Sequence, residues 1–503
     1  MHVLNTIPPA SLFVAGLTGL FWLLLAFGPG GIEAAVARHR VRLLQVVVLL
    51  LFGLAVILAL VKRFNVDEFE HIHSAWYIHR GALPFRDFFQ HHHPLLWPML
   101  VPIFWVFGHT VTAVIVVRLL FVAQLAAAGY LVYRLVARLG GSREAGLAAV
   151  ILLFANVMFV LNVIEIRPDV PQTLFGLLAL LLLLAHLQAP RSRTVFLSGM
   201  SAALAFLFLQ KALFFLLVLG PVLLVLWLAG RLRFSCLLRF GLGFGLPLVI
   251  FVIVLWALDI WEDYLLTNWV VNLRFAPGDT FTPLTYWRRF VLKDALFWGA
   301  GLFGLAVSSL GRKPVLGRRL IVFFTLGATA GLFLLKRPYG HNFLLLLALL
   351  SVLGGTGFMS FLERWRTGWA HRLAVLFLFL VLPVGFLVRE AGNTNRAQIQ
   401  AVIHVLEHTA PDERVYDGRC AFNLFRPDLH YFWYSLLPTR GLGTYNRVTG
   451  GRHGDYDTCR LIRAENPRFI SDYLLDLRSC GLDTVYDVTP FPHIFVRRQG
   501  ELE

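Results

Sequence analysis

Residues 43–61, LLQVVVLLLFGLAVILALV, hold Gln45 as their one polar side chain, and residues 62–94, KRFNVDEFEHIHSAWYIHRGALPFRDFFQHHHP, come directly after. At 1.5 Å per residue the first stretch makes a helix of about 29 Å, the thickness of a bilayer's hydrocarbon core. The second carries Asp67, Glu68, Glu70 and Asp87 together with His71, His73, His79, His91, His92 and His93, six of the chain's 17 histidines. An apolar span that opens into a densely ionisable loop points to a membrane protein with chemistry at one face.

The same pattern recurs outward from this stretch. Apolar runs near 11–28, 43–61, 110–133, 145–163, 171–189, 194–210, 212–230, 240–258, 295–311, 319–335, 341–361 and 372–389 predict an α-helical polytopic membrane protein of about twelve transmembrane helices. Composition agrees, with 58% hydrophobic and only 15% charged residues in 503, against about a quarter charged in soluble chains. The net charge of +16 does not call for nucleic acid. From Ala391 onward 13 Arg face 14 acidic residues, so the positive surplus lies in the hydrophobic part. There it collects in alternate short loops: Arg38, Arg40 and Arg42; Arg134, Arg138 and Arg143; Arg191 and Arg193; Arg231, Arg233 and Arg239; Arg312, Lys313, Arg318 and Arg319; Arg364, Arg366 and Arg372. Basic loops face the cytoplasm, which puts loops 62–94, 259–294 and 336–342 and the N-terminus outside. The first span has no clear small-residue cleavage site and reads as a retained helix.

After Glu390 the composition becomes that of a soluble domain. The expected organisation is a membrane domain over 1–390 and a small extracytoplasmic α/β domain over 391–503. A helix over 396–408 is predicted from Ile399, Val402, Ile403 and Leu406, with Pro411 beyond it, and short strands at 414–416, 430–434, 483–488 and 493–496. Cys420, Cys459 and Cys480 lie there and allow one disulfide with one thiol left over.

The outer loops hold the candidate chemistry. If 67–79 is helical, Asp67 and His71 share a face at i, i+4, which holds a carboxylate beside an imidazole. Glu165, Arg167 and Asp169, then Lys336, Arg337, Tyr339 and His341, add charge at the same membrane face. Ionisable groups at the edge of a hydrocarbon span are costly and point to function. Carboxylates with cations suit a substrate whose hydroxyl is deprotonated and whose phosphate is released. Asp87, His91 and His93 form a candidate set for Zn²⁺, Mn²⁺ or Mg²⁺, against which hydrogen bonding of the imidazoles to phosphate or sugar weighs at least equally. A solvated interfacial loop with Trp76, Tyr77 and Trp97 as belt residues is the bland reading. Trp261, Glu262, Asp263, Tyr264, Asn268 and Trp269 read equally as a sugar-binding mix and as an interfacial helix. No nucleotide-binding glycine motif is present.

The Val66-Asp67-Glu68 after an early span, Gly81-Ala82-Leu83-Pro84, Asp87-Phe88-Phe89 and His92-His93-Pro94-Leu95 resemble the first extracytoplasmic loop of the GT-C glycosyltransferases. The branch is the polyprenyl-phosphate-sugar-dependent one, which includes protein O-mannosyltransferase-like enzymes and the aminoarabinose transferase of lipid A. Arg167-Pro168-Asp169 resembles a further signature of bacterial members. The resemblance implies inverting transfer of a sugar from a polyprenyl phosphate to a hydroxyl of a glycan, lipid or protein acceptor. It implies Asp67 as base with Glu68 as neighbour or substitute. Lys336 and Arg337, assisted by His341 and Tyr339, would hold the donor phosphate. Glu70, His71, Asp87, His92, His93, Arg167 and Asp169 would contact substrate. Where the lipid A branch has Glu-Lys-Pro, this chain has His92-His93-Pro94. The expected location is a bacterial inner membrane with the C-terminal domain periplasmic. The alternative is a transporter or flippase of lipid-linked sugars, which would place ionisable groups near the bilayer midplane; in the apolar runs Arg118 is the clearest such group.

Overall fold

The computed structural model describes residues 31–274, 291, 293–310, 315–335, 339–364, 368–418, 421–432, 441–453, 457–473 and 475–498, with 15, 16, 18 and 19. Its helices are α1 (Gly31–Val61), α2 (Val66–His79), α3 (Leu96–Phe107), α4 (Val111–Arg138), α5 (Arg143–Ala155), α6 (Val157–Val163), α7 (Asp169–Gln188), α8 (Ser192–Phe208) and α9 (Leu213–Leu228). Next along the chain are α10 (Phe234–Ala257), α11 (Ala295–Leu310), α12 (Leu316–Leu334), α13 (Leu344–Arg364), α14 (Trp369–Ala391), α15 (Arg396–Glu407), α16 (Gly441–Thr449) and α17 (Thr458–Glu465). Among the described residues, 8 helices are long and apolar enough to cross a membrane, or 9 if α5 and α6 form one bent span. The expected spans at 194–210 and 295–311 are the shorter apolar helices α8 and α11. Most of the span expected at 11–28 lies outside the described residues. The apolar helix α3, which falls between expected spans, is a further short element.

The chain divides into two compact units: Met1–Lys62, Arg118–Leu248 and Phe281–Asn393 form one, and Arg63–Val117, Val249–Thr280 and Thr394–Glu503 the other. In the first, α13 is the central helix, with 94% of its apolar window buried, and it packs against α5 and α11. Helix α8 meets α10 through two glycines. A Cβ at Gly199 would lie 2.1 Å from the Phe240 carbonyl oxygen, and one at Gly243 would lie 2.0 Å from that of Phe196. Such contact of bare backbones is how helices associate where lipid gives no hydrophobic drive.

The α5–α6 pair bends by 72° at Asn156. A break in a span strands amide groups away from water, so side chains have to replace the missing partners. Asn156 accepts from the Phe159 N–H (2.7 Å), and Asp294, just before α11, accepts from those of Val157 (2.9 Å) and Met158 (3.3 Å).

The second unit holds α2, α3 and the C-terminal segment. Helix α2 starts with a capping box: Asn65 Oδ1 accepts from the Asp67 N–H (3.3 Å), and the Glu68 carboxylate accepts from the Asn65 N–H (2.8 Å). The predicted helix over 396–408 is α15. Of the predicted strands, two are present, as β2 (Tyr486–Val488) and β3 (Ile494–Arg497), joined by β1 (Phe469–Ser471) in an antiparallel sheet of order β1-β3-β2. Phe469 pairs with Val496, and Tyr486 with Arg497. Residues 414–416 form only single bridges, from Val415 to Asp428 and from Tyr416 to Ile470. The run stops there because the buried Asp417 carboxylate gathers the N–H groups of Ala421, Phe422 and Asn423 into a turn. Residues 430–432 are not a strand either; Phe432 packs with Phe89, Val271 and Tyr445 in a hydrophobic cluster. Positions 433 and 434 lie outside the described residues. Cys459 and Cys480 are disulfide-bonded, and Cys420 lies outside the described residues.

Gly199→Ala is expected to destabilise the protein by about 1–3 kcal/mol, because the new methyl has to displace backbone and not a flexible side chain. Thermal unfolding of the purified protein in lipid nanodiscs checks this; an unchanged midpoint would refute the close α8–α10 crossing.

Candidate functional site

Each unit gathers a polar cluster. In the second unit α2 presents Asp67 and Glu68 in its first turn, where the helix dipole favours carboxylates. Asp67 is half-buried, whereas Glu68 is fully buried within the capping box. One turn on, Gln90 donates to Glu70 (3.1 Å) and to the Ser74 hydroxyl (2.7 Å), which fixes the Glu70 carboxylate beside the histidine run. The Trp97 indole N–H donates to His71 Nδ1 (3.1 Å), so neutral His71 carries its hydrogen on Nε2. The ring centroids of His71 and His92 lie 5.5 Å apart, and those of His91 and His92 4.2 Å apart. One ligand atom each from Glu70, His91 and His92 falls within 4.8 Å of the others. A carboxylate and two imidazoles at such spacing suit Zn²⁺ or Mn²⁺.

Further contacts hold this arrangement. His73 Nδ1 donates to the Leu424 carbonyl (3.0 Å) while Nε2 meets Asp428 (2.6 Å), which also accepts from Tyr77 (3.0 Å) and Asn423 (2.9 Å). Burial first, and the Asp428 carboxylate next, push the Tyr77 hydroxyl well above the usual tyrosine range. Tyr264 accepts from the Trp269 indole (3.1 Å) and meets His93 Nε2 at 3.1 Å. Burial drives its hydroxyl up to about 12, so it stays a donor.

In the first unit Glu165 is a bridge. Its two carboxylate oxygens accept from Lys62 (2.7 Å) and Arg167 (2.7 Å), and Arg167 Nη1 reaches His341 Nδ1 at 3.1 Å. Burial works against the charge of Glu165, but Lys62 and Arg167 outweigh it and hold the carboxyl down at about 2. Arg118, a charged side chain within a span, donates to the Ala59 (3.1 Å) and Lys62 (2.6 Å) carbonyls at the end of α1, where a cation complements the helix dipole. Asn342 donates to Asp169 (3.4 Å), and both line a pocket with Gln172, Lys211, Phe214 and Phe324. Lys62 and Arg167 thus set two cations on one carboxylate, groups of the kind that bind anions.

A family model described as dolichyl-phosphate-mannose-protein mannosyltransferase matches residues 92–256, a stretch that contains Glu165, Arg167, Asp169 and Lys211. No curated protein matches the sequence significantly. Among solved structures, ArnT from Cupriavidus metallidurans in the apo state is similar with a TM-score of 0.67 at 13% identity, over 92% of this chain and 98% of that one. The same protein bound to undecaprenyl phosphate gives 0.66 at 12% identity, with the same coverage. The apo oligosaccharyltransferase of Archaeoglobus fulgidus gives 0.55 at 12%, over 91% of this chain and 75% of that one. The chain has a GT-C glycosyltransferase fold.

Within this GT-C fold the candidate residues separate. Glu70, His71 and His92 come together, as do Arg167 and His341, with Tyr339 stacked on His341 at 5.5 Å. Beside the expected set Asp87, His91 and His93, the acid and histidines that lie close enough together to share an ion among the described residues are Glu70, His91 and His92. Asp87 closes its own turn onto the Leu83 N–H (2.7 Å) and Arg86 (3.0 Å), and His93 is turned to Tyr264. Lys336 and Arg337 lie outside the described residues. Lys62 carries no spacing signal and emerges only from tertiary contact; the hydropathy reading has it merely as the first residue after a span.

Glu165→Gln is expected to cost about 3–5 kcal/mol, since it leaves buried Arg167 and part-buried Lys62 against a neutral amide. Because the folded-state value is depressed, this contribution is complete above about pH 4.5 and disappears only as the pH falls toward 2. Unfolding midpoints of both proteins at pH 7 and pH 3 test it; equal midpoints at pH 7 would refute the bridge.

Proposed function

We propose that this GT-C protein transfers a sugar from a polyprenyl-phosphate donor to an acceptor hydroxyl, with inversion at the anomeric carbon, on the periplasmic face of a bacterial inner membrane. The observation that carries the reading is the Lys62–Glu165–Arg167–His341 group, two cations on one carboxylate with an imidazole beside them, in a chain whose fold is shared with ArnT, a protein solved with undecaprenyl phosphate. The nearby pocket offers both polar and apolar walls, as a lipid phosphate requires. The Cys459–Cys480 disulfide fits an oxidising compartment.

Asp67, half-buried at the start of α2, takes the proton of the acceptor hydroxyl, while Glu68 shapes the cap that presents it. The acceptor oxygen bonds to the anomeric carbon as the bond to the phosphate oxygen breaks, and polyprenyl phosphate leaves with that electron pair. Lys62, Arg167 and His341, with Tyr339 beside it and Lys336 and Arg337 a few residues before, neutralise the departing phosphate. Glu70, His71, His92, His93 and Asp169 supply hydrogen bonds to sugar and acceptor. Glu70, His91 and His92 would hold a divalent cation, which would supply Lewis-acid chemistry. A transporter reading would lean on a charge within the spans, yet Arg118 caps α1.

The test measures release of polyprenyl phosphate from a panel of polyprenyl-phosphate sugars, in nanodiscs with acceptor extracts. Asp67→Asn is expected to lower turnover by about 10²–10⁴-fold, the scale of a lost general base. Undiminished release by a folded Asp67→Asn protein would refute the role of Asp67, and donor movement across vesicles without release would replace the enzyme by a flippase. Chelation and then readdition of Zn²⁺, Mn²⁺ or Mg²⁺ separates a metal-dependent reaction from one that the imidazoles support alone.

A further inference from the structure

We infer that Asp294 is a positioning residue for the phosphate-receiving group and acts on it through the short helix α6. This rests on the reading of Lys62, Arg167 and His341 as the groups that receive the donor phosphate.

Asp294 is 2% exposed and lies 137 positions from Val157 in sequence. Its two carboxylate oxygens take the N–H groups of Val157 and Met158, and Asn156 takes that of Phe159, so the first three amides of α6 are all met by side chains. Helix α6 is only 7 residues long, too short to fix its own direction by internal hydrogen bonds. The clamp at its start sets that direction after the 72° break. At its other end α6 runs straight into the site: Ile164 ends the helix, Glu165 bridges Lys62 and Arg167, and Arg167 reaches His341. The flank of α6 also bears on the His341 turn. A Cβ added at Gly340 would lie 3.2 Å from the Asn162 amide nitrogen, so the turn Gly340–Phe343 rests directly on α6. A tilt of α6 therefore moves Glu165, Arg167 and His341 together.

The carboxylate is specifically suited to this task. Two adjacent N–H groups need two acceptors, and an asparagine would offer one oxygen and turn an NH₂ toward the second donor.

The experiment uses the full chain in nanodiscs with a saturable polyprenyl-phosphate sugar donor. Asp294→Asn is expected to raise the donor KM by about 10-fold with kcat within about 2-fold, the scale of a slightly displaced binding group. The second variant is Val157→Pro with Asp294→Asn. Proline suits the first helical position, and Asn156 already has the extended backbone that a residue before proline needs. Removal of the Val157 donor leaves one N–H for the one amide oxygen, so the double variant should recover most of the donor affinity. Arg167→Ala is run alongside. If Arg167→Ala raises the donor KM and Asp294→Asn behaves as wild type, the role of Asp294 falls while the phosphate reading stands. If Arg167→Ala leaves the donor KM unchanged, the phosphate reading itself falls. A loss of kcat in Asp294→Asn that the proline does not restore would overturn the inference in favour of a general structural role.

Discussion

Every backbone N–H and C=O removed from water in this protein has to find a partner within the protein, and the rest of the architecture depends on that constraint. Continuous helices meet it within themselves, which is why apolar composition and helical span coincide along most of the chain. Wherever the helix stops inside the fold, polar side chains have to take over. At the α5–α6 break Asn156 and Asp294 do so, and at the end of α1 the Arg118 guanidinium covers carbonyls of Ala59 and Lys62. Polar residues in the apolar part are thus recruited first by the backbone, and their grouping is set by where helices end.

Electrostatics then turns helix ends into a potential site. Glu165 would be costly to bury alone, but Lys62 and Arg167 on its two oxygens keep it ionised, and the pair of cations is in turn held in place by it. The arrangement is neutral enough to be stable and positive enough to attract phosphate. The second unit uses the same device around Asp428, which satisfies His73, Tyr77 and Asn423 at once and fixes α2 to the C-terminal segment. With α2 fixed, Asp67 and the Glu70–His91–His92 group keep defined positions.

Particular residues show how far the sequence could be read. The capping box of α2 is visible as Asn65 with Glu68 three residues later, and the histidine run announces itself by density. Arg167 and Asp169 stand out because charge at a span boundary is rare. Glu70 is distinguished from Asp87 by nothing local; both are acids in the same loop, and only the fold turns one toward His91 and His92 and the other onto its own turn. The strand expected at 414–416 fails because Asp417 captures three N–H groups just beyond it, a competition that β-propensity does not register.

By itself the sequence determined what hydrophobicity and short-range spacing determine: a polytopic helical membrane protein, loops sorted by charge, a C-terminal segment of soluble composition, and an acid- and histidine-rich first loop in the pattern of GT-C glycosyltransferases. These properties are carried by neighbours along the chain, and a single strand of residues contains them. Tertiary structure alone decided which distant groups meet: Lys62 with Glu165, His73 with Asp428, Tyr264 with His93, and Asp294 with the start of α6. Such pairs are more than 100 residues apart and have no periodicity to announce them, because the contacts form only after helices have packed and each buried polar group has taken whichever partner the packing brings within reach.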